Sequence, residues 1–386
     1  MKISTKKIIS AILAIVLVAS CFAACGSPAN NGGDKLVIGA IGPLTGGAST
    51  YGNSVKKGAE LAIDEINAAG GINGIKFELK FEDDEAKGDK TKPAYEKLMD
   101  QKMNVLLGAV TSDSTLALSD LVKKDGILQL TPSASVAGAT ENPTAFRLCF
   151  TDPVQGTELA KYAFNTLKYT KVAALYDQDD TYATGVFKAF KATFEGLGGS
   201  VVVDAPYAQG TQDFNAQLTK VKGANADAIF MPIYTQDIAR IAIAANEKGI
   251  NLPMFGSDGW DGILKTLQPA EYKYIENALY LTPFVASDES EKVQKFVKAY
   301  SAKNNNEVPD QFAADGYDCV YIFAEALKKA NVKSMTEFTN EKMVAAMIGL
   351  SYDGVTGKVT FDASGEPNKG VKFAKIVDGK YVAVNA

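Results

Sequence analysis

The sequence predicts an α/β protein of two doubly wound lobes, each a parallel sheet covered by helices. Three observations carry that prediction. Apolar strand-like runs alternate with amphipathic helical stretches from Lys35 onward, the order that builds parallel sheets covered on both faces. The alternation runs through one block and then begins again. And 386 residues exceed the roughly 250–300 at which a single hydrophobic core stops growing.

The elements follow in order. Leu36–Ile41 is a continuous apolar run ending at Gly42-Pro43, the pattern of a fully buried strand. The next segment spaces Val55, Ala59, Ala62 and Ile66 four, three and four apart, one face of a helix, and Gly70-Gly71 ends it. Strands are expected at 77–81, 105–107 and 127–130, with helices at 93–101 and 114–124 between them. The second block reads as helix 154–168, strand 172–176, helix 183–196, strand 201–207, helix 214–222, strand 228–231, helix 237–248 and strand 253–255. A third block holds strand 278–282, helices 290–303 and 313–330, and short strands at 359–361, 371–376 and 381–384. Ligands of such sheets sit outside the carboxyl ends of the strands.

The first residues read as an export signal. Lys2, Lys6 and Lys7 precede an apolar stretch from Ile8 to Ala19, shorter than the ~20 apolar residues of a membrane span. Cys21 and Cys25 each follow two small residues. Cys25 precedes Gly26-Ser27, whereas Cys21 has the better aliphatic residue, Val18, three places before it. Cys25 is the expected lipidation site and Cys21 the alternative. Residues 1–24 then form a lipoprotein signal peptide and 25–34 a flexible tether, placing the protein at the extracellular face of the cytoplasmic membrane, held by a lipid anchor only.

Composition narrows the function. Removing residues 1–24 takes away three lysines and no acid, which moves the formal charge from −5 to −8. Nucleic acid is an unfavourable partner for such a surface. The chain contains no histidine, which removes the Ser-His-Asp triad and the commonest general base. It carries no phosphate-binding P-loop, GxSxG elbow or CxxC pair. An enzyme is disfavoured, and no cofactor or metal is expected. The acidic clusters Glu82–Glu85 and Asp177, Asp179, Asp180 lack the spacing and glycine of a calcium loop and read as solvated loops. Cys149 and Cys319 stand in apolar surroundings and read as buried free thiols.

Several segments together resemble one family. They are Ile38 to Gly46, Gly58 to Ala62, Asn67 to Gly74, Gly108 to Thr115, Thr131 to Ser135 and Gly256 to Gly259. In order and spacing they are similar to the leucine/isoleucine/valine-binding proteins and their amide- and amino-acid-binding relatives. The resemblance implies a type I periplasmic-binding fold whose two lobes are joined by a three-strand hinge, with crossings near Asp152, Pro283 and Val355. Lobe 1 would comprise 35–152 and 284–355, and lobe 2 would comprise 153–283 and 356–386. It also implies a monomer that captures an amino acid, most simply a branched-chain one, and delivers it to an ABC permease with its ATPase subunits. A different amino acid, a short amide or urea-like ligand, and a nutrient-sensing output are the alternatives.

An α-amino acid in a desolvated cleft needs donors for its carboxylate and a counter-charge for its ammonium. Ser112 and Ser114 follow a strand end at a helix start, where they can cap the helix. The resemblance assigns Val110, Thr111 and Ser112 to the ligand site. It adds the Ser133 backbone and the Ser135 hydroxyl from a second strand end. It makes Asp258 the partner of the ammonium, in place of turn chemistry alone. Tyr51, Tyr182, Tyr234 and Phe312 match aromatic cleft residues. Trp260, the only tryptophan, is a candidate pocket wall.

Overall fold

The computed structural model describes residues 34–384; the signal, lipidation and tether expectations at 1–33 lie outside the described residues. Two parallel-centred sheets make the scaffold. The first contains β1 (Lys35–Gly42), β2 (Lys76–Asp83), β3 (Val105–Gly108), β4 (Gln129–Thr131) and β5 (Ala145–Arg147), in the order β2-β1-β3-β4-β5 and parallel throughout. The second contains β6 (Lys171–Asp177), β7 (Ser200–Tyr207), β8 (Ala228–Phe230), β9 (Met254–Gly256) and β10 (Leu279–Thr282). Strands β14 (Lys372–Val377) and β15 (Lys380–Val384) extend its β10 edge antiparallel. A small antiparallel sheet, β11 (Ser351–Gly354), β12 (Gly357–Phe361) and β13 (Pro367–Asn368), stands apart.

Helices cover the sheets: α1 (Ser49–Ala68), α2 (Gly88–Asp100) and α3 (Ser112–Asp125) in the first block, and α4 (Asp152–Lys161), α5 (Thr181–Gly196), α6 (Asn215–Gly223), α7 (Thr235–Glu247) and the short α8 (Ile263–Thr266) in the second. Helices α9 (Glu291–Lys303), α10 (Gln311–Lys329) and α11 (Asn340–Met347) then return to the first sheet. Helix 154–168 of the sequence reading is α4 followed by a π-helical turn over Tyr162–Thr166. Strands β5, β11 and β13 and helices α8 and α11 went unread, because short or weakly apolar segments carry little periodic signal.

Each sheet has its own core. The first packs Ile38, Val55, Ala59 and Leu107 with Val320, Phe323, Val359 and Phe361. The second lies on both faces of the seven-stranded sheet, around Ile229, Ile241 and Tyr280 on one side and Phe190, Phe230 and Leu281 on the other. The chain leaves the first core after Leu148 and joins the second at Phe150. Because Val359 and Phe361 belong to the first core and Phe373 to the second, the last crossing lies beyond β12 rather than near Val355. The β11–β12 hairpin buries its apolar side on α10, a preference that strand spacing alone does not reveal.

Helices α1 and α10 meet through glycine. A Cβ on Gly58 would stand 1.8 Å from the Ala313 carbonyl oxygen, and one on Gly316 would stand 2.3 Å from that of Val55. The backbones therefore touch where any side chain would separate them. This contact brings Tyr51 of α1 and Phe312 of α10 together, ring centroids 4.5 Å apart.

Candidate functional site

The carboxyl ends of β3 and β4 supply one wall of the cleft between the lobes. After β3 the chain runs through Ala109 and Val110 into α3, whose N-cap is Thr111 with extended backbone and no capping hydrogen bond from its side chain. The expectation that Ser112 or Ser114 caps the helix is not met, since both lie inside it. Ser112 Oγ instead accepts the Val136 N–H at 3.4 Å. The first N–H groups of a helix lack intrahelical acceptors, and Thr111 Oγ1 is buried without a partner. This wall therefore presents donors to an anion. From the end of β4, Ser133 Oγ donates its only proton to the Val110 carbonyl at 2.7 Å, which leaves the hydroxyl able to act toward a ligand as an acceptor alone. Ser135 Oγ is buried and unpartnered.

The other wall comes from β8, β9 and the start of α5. Asp258 opens a 3₁₀ turn, Asp258–Trp260, immediately after β9. It is 3% exposed. Burial pushes its carboxyl above the usual range, and hydrogen bonds from Tyr182 and Gln311 oppose that shift. Tyr182 Oη donates to Asp258 Oδ1 at 2.9 Å and accepts the Gly259 N–H at 2.9 Å. The Tyr182 and Tyr234 rings stack at 5.3 Å and 15°, and Tyr51 leans on Tyr234 at 5.3 Å. The result is an aromatic box with one buried acid at its side.

Nine of the ten candidate residues line a single cavity, with Gly259 as the addition. Ser135 stands behind that lining, its backbone carbonyl accepting the Asp152 N–H at 2.9 Å. The cavity holds ≈ 20 Å³, room for about one water. An amino acid enters only if the walls part. A larger groove of ≈ 570 Å³, lined by Tyr162, Lys372, Phe373 and Val384 among others, lies at the edge of the seven-stranded sheet. None of the candidate residues reaches it, and its size gives it no chemistry.

Direct bonds hold the walls together. Tyr51 Oη donates to the Gly259 carbonyl at 2.7 Å and accepts the Thr235 N–H at 2.7 Å, so its hydroxyl is saturated across the cleft and only its ring faces the pocket. Thr181 Oγ1 donates to Asp113 at 2.6 Å. Lys265 of α8 reaches Asp310 at 2.7 Å and Glu307 at 2.6 Å, both from the first lobe. Sequence reasoning missed Lys265, Asp310, Gln155 and Gln311, because no local motif marks a residue whose partner is remote in the chain.

Two expectations change. Trp260 does not wall the pocket: it is fully buried in the second core and donates Nε1–H to the Met231 carbonyl at 2.8 Å. The acidic clusters are not simply solvated. Asp84 and Asp180 are buried, and Asp180 caps α5 by accepting the Ala183 N–H at 2.8 Å. Asp83 gathers the Leu44 and Glu85 N–H groups and the Thr45 hydroxyl. These acids order the loops at the strand ends. Among the described residues no group of three or more acidic, histidine or cysteine side chains is arranged to hold a metal.

A family model described as periplasmic binding protein matches residues 35–380. The chain is 29% identical over 353 residues to the Leu/Ile/Val-binding protein BraC3 of Rhizobium johnstonii, covering 90% of this chain and 93% of that one. It is 28% identical over 335 residues to the leucine-, isoleucine-, valine-, threonine-, and alanine-binding protein of Pseudomonas aeruginosa, covering 86% and 87%. Among solved structures, the branched-chain amino acid transporter substrate binding protein LivJ of Streptococcus pneumoniae, in complex with isoleucine, superposes with a TM-score of 0.83 at 31% identity, covering 92% of this chain and all of that one. A solute binding protein from R. palustris in complex with benzoate superposes with a TM-score of 0.82 at 22% identity, covering 91% and 96%.

Proposed function

This chain belongs to the periplasmic binding protein family, and from that premise we propose that it is the solute-binding component of an ABC importer, capturing a branched-chain amino acid outside the cytoplasm. One observation carries the reading: a buried acid, a helix N-terminus and an aromatic-aliphatic box share one cavity split between two lobes. The N-terminus of α3, with Thr111 and Ser112, takes the carboxylate, where backbone N–H groups and the helix dipole favour negative charge. Asp258 takes the ammonium, aided by the Ser133 carbonyl. Tyr51, Val110, Tyr182, Tyr234 and Phe312 enclose the apolar side chain.

Asp258 also separates this reading from an aromatic-acid ligand. Benzoate has no ammonium, and would enter beside a buried carboxylate with no counter-charge of its own, an unfavourable pairing. Ligand groups bound by both walls are satisfied together only when the lobes close, so binding shifts the population toward the closed form. A permease then reads the closed shape. Lipidation at Cys25, or alternatively Cys21, would tether the monomer beside that permease.

Thermal melts of residues 35–386, unfolded and refolded to strip bound ligand, test the reading against twenty amino acids, short amides and benzoate. A ligand at about 100 times its Kd contributes ~2.7 kcal/mol. The expected outcome is a shift with leucine, isoleucine or valine that Asp258→Asn abolishes. A shift with benzoate and none with any amino acid would overturn the proposal.

A further inference from the structure

Asp258 is held from three directions, and each hold fixes the group that makes it. The Tyr182 hydroxyl donates to Oδ1 at 2.9 Å. Gln311 Nε2 donates to Oδ2 at 3.3 Å. The Asp258 N–H donates to Gln155 Oε1 at 3.0 Å. All of these are neutral groups. Tyr182 and Gln155 stand on α5 and α4, in the same lobe as Asp258. Gln311 is different, because it opens α10 in the other lobe.

Gln311 grips the same turn twice. Its backbone N–H donates to Asp261 Oδ2 at 3.1 Å, so one residue of the first lobe bonds two carboxylates of a single turn of the second. With Asp258 ionised, the state an ammonium beside it favours, its oxygens only accept, and the Gln311 amide then turns its nitrogen toward it. The residue is wholly buried, and its Oε1 has no partner. A buried amide satisfied at one end only is costly to keep for packing alone.

We infer that Gln311 is a positioning residue that couples recognition of the ligand's ammonium group to closure of the lobes. The inference rests on the amino-acid reading of the pocket. Burial favours the neutral form of Asp258, whereas an ammonium beside it favours the carboxylate. Hydrogen bonds to an ionised acceptor are roughly twice as strong as those between neutral groups. Arrival of the ammonium therefore strengthens the Gln311–Asp258 bond, and that bond exists only when the lobes are together. Closure responds in this way to the ligand's positive charge as well as to its shape.

Gln311→Met tests this, since it keeps the side-chain length and the backbone bond to Asp261 while removing the amide. Calorimetry would compare leucine with 4-methylpentanoate, which has the same carbon skeleton without the amine; if wild type prefers another amino acid, that acid and its amine-free counterpart take their place. Leucine affinity is expected to fall tenfold or more in the variant and 4-methylpentanoate affinity less than twofold. Equal losses for both, or none, would overturn the inference. Gln311→Glu gives a second readout: relative to wild type its leucine affinity should rise as pH falls from 8 to 5, when a protonated carboxyl can donate as the amide does, and a flat ratio would count against the coupling. Wild type that binds no amino acid would instead sink the reading of the pocket itself.

Discussion

At the scale of single residues, the cleft is a place where charge is buried before any ligand arrives. Asp152, at the start of α4, is 2% exposed; burial pushes its carboxyl up to about 7, with Asp258 adding to the shift. Asp180 is pushed up to about 7 as well, again mainly by burial. A carboxyl whose folded value lies above its unfolded value of ~3.9 stabilises most when protonated in both states. Its contribution is fully present below that value and is lost as pH rises through 7. The ligand-free protein should therefore melt at a higher temperature at pH 5 than at pH 8. Asp152→Asn should flatten that dependence and raise the melting temperature at pH 8, measured by calorimetry in matched ionic strength. An unchanged profile would mean that Asp152 finds a counter-charge when folded.

Among the elements, the α1–α10 contact sets the aromatic box. Gly58 and Gly316 let the helices touch backbone to backbone, and the pair carries Tyr51 and Phe312 into the pocket. A methyl group at Gly58 has no flexible neighbour to displace, only the Ala313 peptide. Overpacking of this kind costs about 1–3 kcal/mol. Gly58→Ala should lower the melting temperature and also weaken ligand binding, because spreading the helices moves Phe312 away from Tyr51. Loss of stability with ligand affinity intact would show that the box tolerates the displacement.

For the whole molecule, closure is braced by ion pairs as well as by the pocket. Lys265 of the second lobe meets Asp310 and Glu307 and donates to Ser54 at 3.0 Å, all on the first lobe. Asp310 is fully buried at its side chain, so removing the lysine leaves a charge without its partner, which is strongly unfavourable. These contacts form as the lobes come together and must break before they part. Lys265→Met should therefore raise the ligand's dissociation rate about tenfold while changing association little, the usual division when a bound-state contact is lost. Stopped-flow fluorescence of the pocket tyrosines would measure both rates. A change confined to association would place the lysine in the encounter instead.

The sequence by itself determined the alternation of strands and helices and the two sheets, and its family resemblance pointed to nearly every side chain lining the pocket. Those features are local. A buried strand such as Leu36–Ile41 must be continuously apolar, a packed helix must repeat its apolar face every 3.6 residues, and residues such as Thr111, Ser133 and Asp258 sit at strand ends that order alone locates. Tertiary structure decided what those residues do to one another. It saturated the Tyr51 hydroxyl across the cleft, tied the Ser133 hydroxyl to Val110, sent Trp260 into a core, and gave Asp84 and Asp180 backbone partners in place of solvent. It also set Gln311 against Asp258, 53 positions away in the chain. A hydrogen bond depends on the final position of two groups, and nothing in the spacing along one strand or helix specifies the distance to another lobe.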